Sequence, residues 1–345
     1  MAQSTDTVLQ VETIVNDILG AIDREREREI IARRYGLFDR KETLEQIGEL
    51  LGITRERVRQ LEKSVMTKLA SIAGDDLPHV SSLNTVFTDI LSNNGNVARI
   101  SDLAEKMTKE NSKIDQSRIA FFARLAPSVA FVGENDHFHN SAALSSNYDE
   151  KSVKEKVGHV VDAIKKIAKP VSVEEVAGSM GHPESEEIRA LASVSKNLAT
   201  LNGRWGLIKW PMVNPKNIRD KIYVILYENG KQMHFNEIAK SISDSDFKRK
   251  DVTTQAIHNE LIKDKRFILV GRGIYALKEW GFKQGTVADV ITDVLKAAGE
   301  PLHRDEIVKR VLKKRFVKET TILLNLQGKD QFKRVAKATY TLDEK

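Results

Sequence analysis

The sequence predicts a mainly α-helical chain: one helix-turn-helix domain, then four small winged-helix domains in tandem, each of three helices and a β-hairpin. Three observations predict it. Between Arg24 and Ile72 apolar residues recur at helical spacing, and two helices meet at a short turn holding Gly52. Beyond His79 one plan recurs four times: a long apolar helix, two further helices and an apolar strand pair. In the two clearest copies, His234 and Ile238 match His303 and Ile307 at one constant shift of 69 residues.

The composition bounds the chemistry. The chain has 345 residues, room for several domains, with 41% hydrophobic and 30% charged residues. It has no Cys, which excludes disulfides, thiolate metal sites and Cys nucleophiles and makes a reducing, cytoplasmic setting the expectation. The first residues lack a basic stretch and carry Asp6, Glu12 and Asp17, so they do not read as a secretory signal. No apolar run approaches membrane-spanning length, and no membrane partner is expected. The net charge of +6 is unevenly placed: the balance is −2 over residues 1–75, −1 over 76–210 and +9 over 211–345. A basic C-terminal third suits an anionic partner, and a solvated Lys-rich surface accounts for it as well.

The elements follow in order. Val8, Val11, Val15, Ile18 and Leu19 mark an amphipathic first helix. Asp23 is the expected cap of "REREREIIARRYG", which Gly36 ends. Thr43 starts "LEQIGELL" with Gln46 at capping-box spacing. Gly52 breaks that helix, and Thr54 caps another from Arg55 to about Ile72. In this last helix Val58, Leu61, Val65, Leu69 and Ile72 form the buried stripe, while Arg55, Glu56, Arg59, Gln60 and Lys63 fall outside it. The start of the second helix of such a motif enters the DNA major groove. There Arg pairs with guanine, Gln with adenine and Glu with cytosine. A merely solvated face explains the charges, but not their clustering just after the Gly–turn–Thr start.

"ETLEQIGELLGITRERVRQLEKSVMTKLA", with "REREREIIARRYG" before it, resembles region four of bacterial primary-type sigma factors, the domain that reads the promoter −35 element. The resemblance implies base contacts by Arg55, Glu56 and Gln60. It implies backbone contacts by Arg26, Arg34, Leu44 and Glu45 (through their amides), Thr54, Arg57 and Arg59, to which the outer-face Lys63 is added. It further implies a seat on the β-subunit flap of RNA polymerase. The match covers about residues 20–72, and only some 20 residues precede it, so the expectation is a −35 reader without the promoter-melting module.

The expected domains are 1–72, 80–145, 150–212, 214–282 and 285–345, with "AGDDLPH" (Ala73–His79) as a linker. "GKQMHFNEIAKSI", "DKRFILVGRGIYALKEWGF", "GEPLHRDEIVKRV" and "KATYTL" resemble the HARE-HTH family. That winged-helix module occurs in the δ subunit of bacterial RNA polymerase and in chromatin and restriction proteins. The likeness is good over Asn214–Phe282, fair over Gly285–Lys345 and only in outline before. The family is better known as an adaptor or binding fold than as an enzyme, so either DNA or polymerase contact is implied.

The remaining chemistry-bearing residues read modestly. His234 and His303 start equivalent helices, where capping or packing suits them better than metal binding. His137 and His139 alternate as on a strand, facing one side, with no third ligand beside them. Trp205, Trp210 and Trp280 end their strand pairs as packing residues, with base stacking the alternative. Gly271–Gly273 reads as a hairpin turn with Arg272 at its tip. The runs holding Lys248, Arg249 and Lys250, and Lys313, Lys314 and Arg315, are DNA contacts or solvated charge. No nucleophile triad, phosphate loop or paired acid site is present, so no enzyme activity, cofactor, metal or small-molecule substrate is expected. The expected partners are double-stranded DNA and RNA polymerase. The alternatives are a protein-binding adaptor on polymerase and the specificity module of a DNA-processing system. Added alone to core RNA polymerase, the 345-residue chain is expected to yield no promoter-dependent transcripts in a run-off assay.

Overall fold

The computed structural model describes residues 9–73, 76–182, 184–247, 249, 251–282 and 285–343. They divide into two compact units, Met1–Lys209 and Trp210–Lys345.

The first unit opens with four helices: α1 (Val11–Gly20), α2 (Glu25–Tyr35), α3 (Leu44–Leu51) and α4 (Arg55–Ile72). Helix α1 buries Val11, Ile14, Val15, Ile18 and Leu19, the stripe its spacing predicts; Val8 lies outside the described residues. Asp23 does not cap α2. That helix begins one residue later, behind Arg24, with no side-chain cap. The Asp23 carboxylate reaches across to the Lys68 ammonium on α4 at 2.8 Å, and that ammonium holds its pKa below the ordinary value. Gly36 ends α2 at φ +65°, a left-handed conformation that a side chain would strain.

Two segments of like construction complete this unit. One has α5 (Val80–Ser92), β1 (Val97–Arg99), α6 (Ile100–Met107), α7 (Lys113–Leu125), β2 (Val129–Val132) and β3 (Ser141–Leu144). The next has α8 (Glu150–Ile167), β4 (Val171–Ser172), α9 (Val173–Met180), α10 (Ser185–Val194), β5 (Leu198–Leu201) and β6 (Arg204–Leu207). In the second unit come α11 (Ile218–Asn229), β7 (Met233–His234), α12 (Phe235–Asp244), α13 (Thr254–Lys263), β8 (Phe267–Gly271) and β9 (Ile274–Leu277). The last set is α14 (Val287–Ala298), β10 (Leu302–His303), α15 (Arg304–Leu312), α16 (Glu319–Gly328), β11 (Phe332–Ala336) and β12 (Thr339–Leu342).

Among the described residues four three-stranded antiparallel sheets occur, ordered β1-β3-β2, β4-β6-β5, β7-β9-β8 and β10-β12-β11. Sequence spacing predicts the strand pair in the last three sheets; in the first it puts the second strand at His137–His139, short of β3. It misses the short strand before the second helix, which is only two residues long in three of the four sheets and carries no period of its own. His234 and His303 close two of these strands and cap the helices that follow. Their Nδ1 atoms accept the amides of Asn236 and Asp305 at 3.3 and 3.4 Å. A Cβ on Gly273 (φ +69°) would come within 2.6 Å of the His234 ring, so the hairpin turn needs glycine there on both steric counts. Trp205 is buried, and Trp280 packs on Ile268, Val270 and Ala276.

Two expectations need correction. His137 and His139 do not lie on a strand: β2 stops at Val132 and β3 resumes at Ser141. The Asn135 side chain accepts the amides of His137 and Phe138 (2.8 and 2.9 Å), folding the chain into a turn. Phe138 then forms a single antiparallel bridge to Ser195. Ala73–His79 is not a free linker either. Ala73 and Leu77 are buried, and the His79 ring bonds the Asp17 carboxylate at 2.7 Å.

The reason is a shared core. Val15 and Ile18 of α1, Ile31 of α2, and Val65 and Leu69 of α4 belong to one apolar cluster with Leu83, Phe87, Phe121 and Phe122 of the following segment. At its edge Arg118 of α7 is buried. Its Nε donates to the Leu37 carbonyl at 2.8 Å, and its guanidinium pairs with Glu12 on α1 (3.2 Å) and Asp115 (3.6 Å). Arg118→Met keeps the apolar stem, strands the Leu37 carbonyl and leaves the buried Asp115 carboxylate with the Ser112 amide alone. It is expected to cost about 1.5–3 kcal/mol. Hydrogen exchange should quicken in α1 and α7 and stay unchanged in β7–β9.

Candidate nucleic-acid interface

Helices α3 and α4 are set against each other by their ends. The Thr43 hydroxyl accepts the Gln46 amide (3.2 Å) and the Gln46 side chain accepts the Thr43 amide (2.9 Å), the expected capping box. Gly52 ends α3 at φ +63°, and the Ile53 amide returns to the Gly48 carbonyl at 2.9 Å. A Cβ on Gly48 would stand 2.7 Å from the Ile53 carbonyl oxygen, so the turn folds this tightly only with glycine inside α3. The Thr54 hydroxyl then caps α4 through the Arg57 amide at 3.2 Å. Ile30, Ile47 and Val58, one from each of α2, α3 and α4, are fully buried together and fix the crossing. Burial of each contributes roughly 1.5–3 kcal/mol. In the stripe of α4, Val58, Val65 and Leu69 are buried, and Leu61 and Ile72 are half-buried.

Arg55, Glu56, Arg57, Arg59, Gln60 and Lys63 all stand exposed on the outer face of α4. They are not independent. Glu56 receives two bonds from Arg59 (2.9 and 2.7 Å) and one from the Gln60 amide group (3.4 Å), while Arg57 donates to Gln60 (3.4 Å). The Arg59 guanidinium holds the Glu56 carboxyl below the usual carboxylate range. Among the described residues Arg55 makes no side-chain hydrogen bond or ion pair. The expected base-contacting set thus divides into a free Arg55 and a coupled Glu56 and Gln60.

The expected backbone contacts divide likewise. Leu44 and Glu45 occupy the first turn of α3, where amides have no acceptor within their own helix. Thr54 keeps its cap role. Arg26 donates to the Leu51 carbonyl at the end of α3. Arg34 is engaged by Glu62 and the Glu42 carbonyl, both at 3.3 Å, and is only 37% exposed. Arg34 therefore braces α2 against α4 in the free protein. In the second unit Arg272 is exposed at its hairpin tip, Lys313 is exposed and Lys314 half-buried. Arg315 folds onto the Gly285 carbonyl, and burial pushes its pKa down despite the nearby Asp289. Arg249 is exposed at φ +60°, its carbonyl accepting the Lys221 ammonium at 2.6 Å; Lys248 and Lys250 lie outside the described residues. Among the described residues no three His, Asp or Glu side chains are grouped to hold a metal ion.

The coupling on α4 has a measurable consequence. Glu56→Gln releases Arg59 from its bidentate pair and removes one negative charge from the exposed face. Affinity for a non-cognate duplex is expected to rise several-fold at about 50 mM salt, with the log–log salt slope steeper by about 0.9. Anisotropy of a labelled duplex across a salt series measures both. An unchanged slope would mean that Arg59 gains no phosphate when freed.

Residues 24–71 match the family model for sigma-70, region 4. Over this part the chain is similar to the RNA polymerase principal sigma factor HrdD of Streptomyces viridifaciens, 42% identical over 74 residues, 21% of this chain and 22% of HrdD. It is similar to the RNA polymerase sigma factor RpoD of Helicobacter pylori, 43% identical over 68 residues, 19% of this chain and 9% of RpoD. It is also similar to the RNA polymerase sigma factor SigA1 of Synechococcus elongatus, 53% identical over 45 residues, 13% of this chain and 11% of SigA1. The chain thus spans about a fifth or less of the length of these curated relatives. Its helix-turn-helix is a sigma-70 region 4 domain.

Proposed function

We propose that this protein is a transcription regulator that reads promoter-like, −35-type duplex DNA through α3 and α4 and works in association with RNA polymerase. The observation that carries the reading is the outer face of α4. Arg55, Glu56, Arg57, Arg59 and Gln60 stand exposed directly after the Gly52–Thr54 turn, over a stripe that packs the helix in one orientation. Arg55 and Gln60 supply base readout, Glu56 selects the partner base, and the first-turn amides of α3 hold phosphate. Polymerase enters as a partner because the similar proteins are named as its sigma factors; the β flap is the part we assign. The protein acts by binding rather than by catalysis, in the cytoplasm, without a cofactor. Among the described residues no helix is long and apolar enough to cross a membrane.

The three-helix, three-strand segments are, on this reading, winged-helix domains over 80–145, 150–212, 214–282 and 285–345, following the region at 1–72. The last two are HARE-HTH-like. A specific observation favours protein docking for them. Ile262, Leu269, Phe316 and Leu324 are large apolar side chains left 67%, 43%, 51% and 68% exposed. Charge favours DNA, and apolar exposure favours an adaptor role on polymerase. Salt separates the two: phosphate-mediated binding falls steeply between about 50 and 200 mM salt, and apolar docking does not.

The test of the main reading uses Arg55→Ala and Gln60→Ala in the full chain. Each is expected to keep its circular dichroism spectrum and to lose about 1–3 kcal/mol of discrimination between a −35-type duplex and a scrambled one. Equal preference of variants and parent across a duplex panel would remove base readout from α4.

A further inference from the structure

A cleft of about 440 Å³ opens in the first unit where the turn after α2 meets the starts of α6 and α7 and the loop between β2 and β3. It lies away from the outer face of α4 and takes no part in the reading above. Its charged lining is Arg40, Lys41, Arg99 and Lys113 against Asp39 and Glu134, with the His139 ring among them. The two sides are unequally free. Glu134 is taken by Lys196 at 2.7 Å, and Arg99 by Asp102 at 3.0 Å. Arg40, Lys41 and Lys113 have no ion-pair partner among the described residues. Three unpaired cations thus converge on a concave site with one unpaired carboxylate, Asp39, and a second, Glu134, already neutralised by a lysine from outside the cleft.

The neighbouring fields agree. Burial, together with Arg124 and Arg34, pushes the Lys41 ammonium down despite Glu134. Burial, Arg99 and Lys196 push the His139 imidazole down against Glu134 and Asp102. In both cases burial is the largest cause, and the neighbouring cations add to it. The polar lining of Ser101, Gln116, Ser117 and Asn140 offers hydrogen-bond partners around the cleft.

We propose that this cleft is an anion site for a phosphate-bearing ligand, held by Arg40, Lys41 and Lys113. The phosphate comes either from a free phosphorylated small molecule or from the backbone of a duplex that continues past the α3 start, where Arg40 and Lys41 stand shortly before Thr43 with Glu42 between. Arg40 and Lys113 are exposed, so their replacement leaves the core untouched.

The experiment compares the full chain with Arg40→Gln/Lys113→Gln and, separately, with Arg55→Ala/Gln60→Ala. The probes are inorganic pyrophosphate, followed by titration calorimetry, and a labelled duplex across a salt series. If the source is a free phosphate ligand, pyrophosphate binds the parent and the Arg55/Gln60 variant alike, and at least ten-fold more weakly to the Arg40/Lys113 variant. If the source is the duplex, pyrophosphate is not bound. The Arg40/Lys113 variant then loses about 1.8 units of salt slope with sequence preference kept. Failure of the helix-turn-helix reading shows instead in the Arg55/Gln60 arm, so the two failures are distinguishable. Loss of neither pyrophosphate binding nor salt slope in the Arg40/Lys113 variant, with its circular dichroism spectrum unchanged, overturns the proposal.

Discussion

The first unit depends on one buried guanidinium. Arg118 sits at the margin of a core that would otherwise be wholly apolar, and a charge there is tolerable only if its donors are met. The Leu37 carbonyl, Glu12 and Asp115 meet them from three different places in the chain. Because Leu37 directly follows the Gly36 turn and Glu12 lies on α1, one side chain of the following segment fixes where the sigma-70 region 4 domain sits on it. Apolar contacts supply the bulk of the attraction, but they are non-directional. The arginine selects one registration among those that burial alone would permit.

This joint core explains what the sequence could and could not show. The helices of residues 24–72 were legible because most of their ends are chemically marked: Gly36, Thr43 with Gln46, Gly52 and Thr54 all act as their types predict. The strand pairs were legible from alternation except in the first sheet, where the alternating run through His137 and His139 is a turn and β3 lies beyond it. Leu77 and Ala73 were not legible as core, because two apolar residues in a polar run have no period to betray their burial. The two-residue strands β4, β7 and β10 fail for the same reason. Asp23 misled because a helix cap and an ion pair to a residue 45 positions away ask for the same side chain, and only the tertiary structure decides between them.

At the candidate interface the residue types were legible and their state was not. Spacing places Glu56 one turn from both Arg59 and Gln60, but not which bonds form. On the proposed reading, the bonds found make binding DNA an exchange: the Glu56 carboxylate would release its intramolecular donors as bases or phosphates replace them. Exposed pairs of this kind hold weakly, so the exchange is shallow. It leaves the unbound face nearer to neutral than its arginine content implies and tempers attraction to arbitrary sequence.

The strand order of the four sheets bears on how such a chain is made. In every sheet the central strand is the one synthesised last: β3, β6, β9 and β12 each lie between two earlier strands. A ribosome-bound segment therefore carries all three helices and two unpaired edges until its final few residues emerge, and then closes at once. Each segment becomes a finished unit before the next helix has left the exit tunnel. A tandem array of similarly built pieces is exposed to mispairing between copies. Closing each sheet with its own last strand confines pairing to the piece being born.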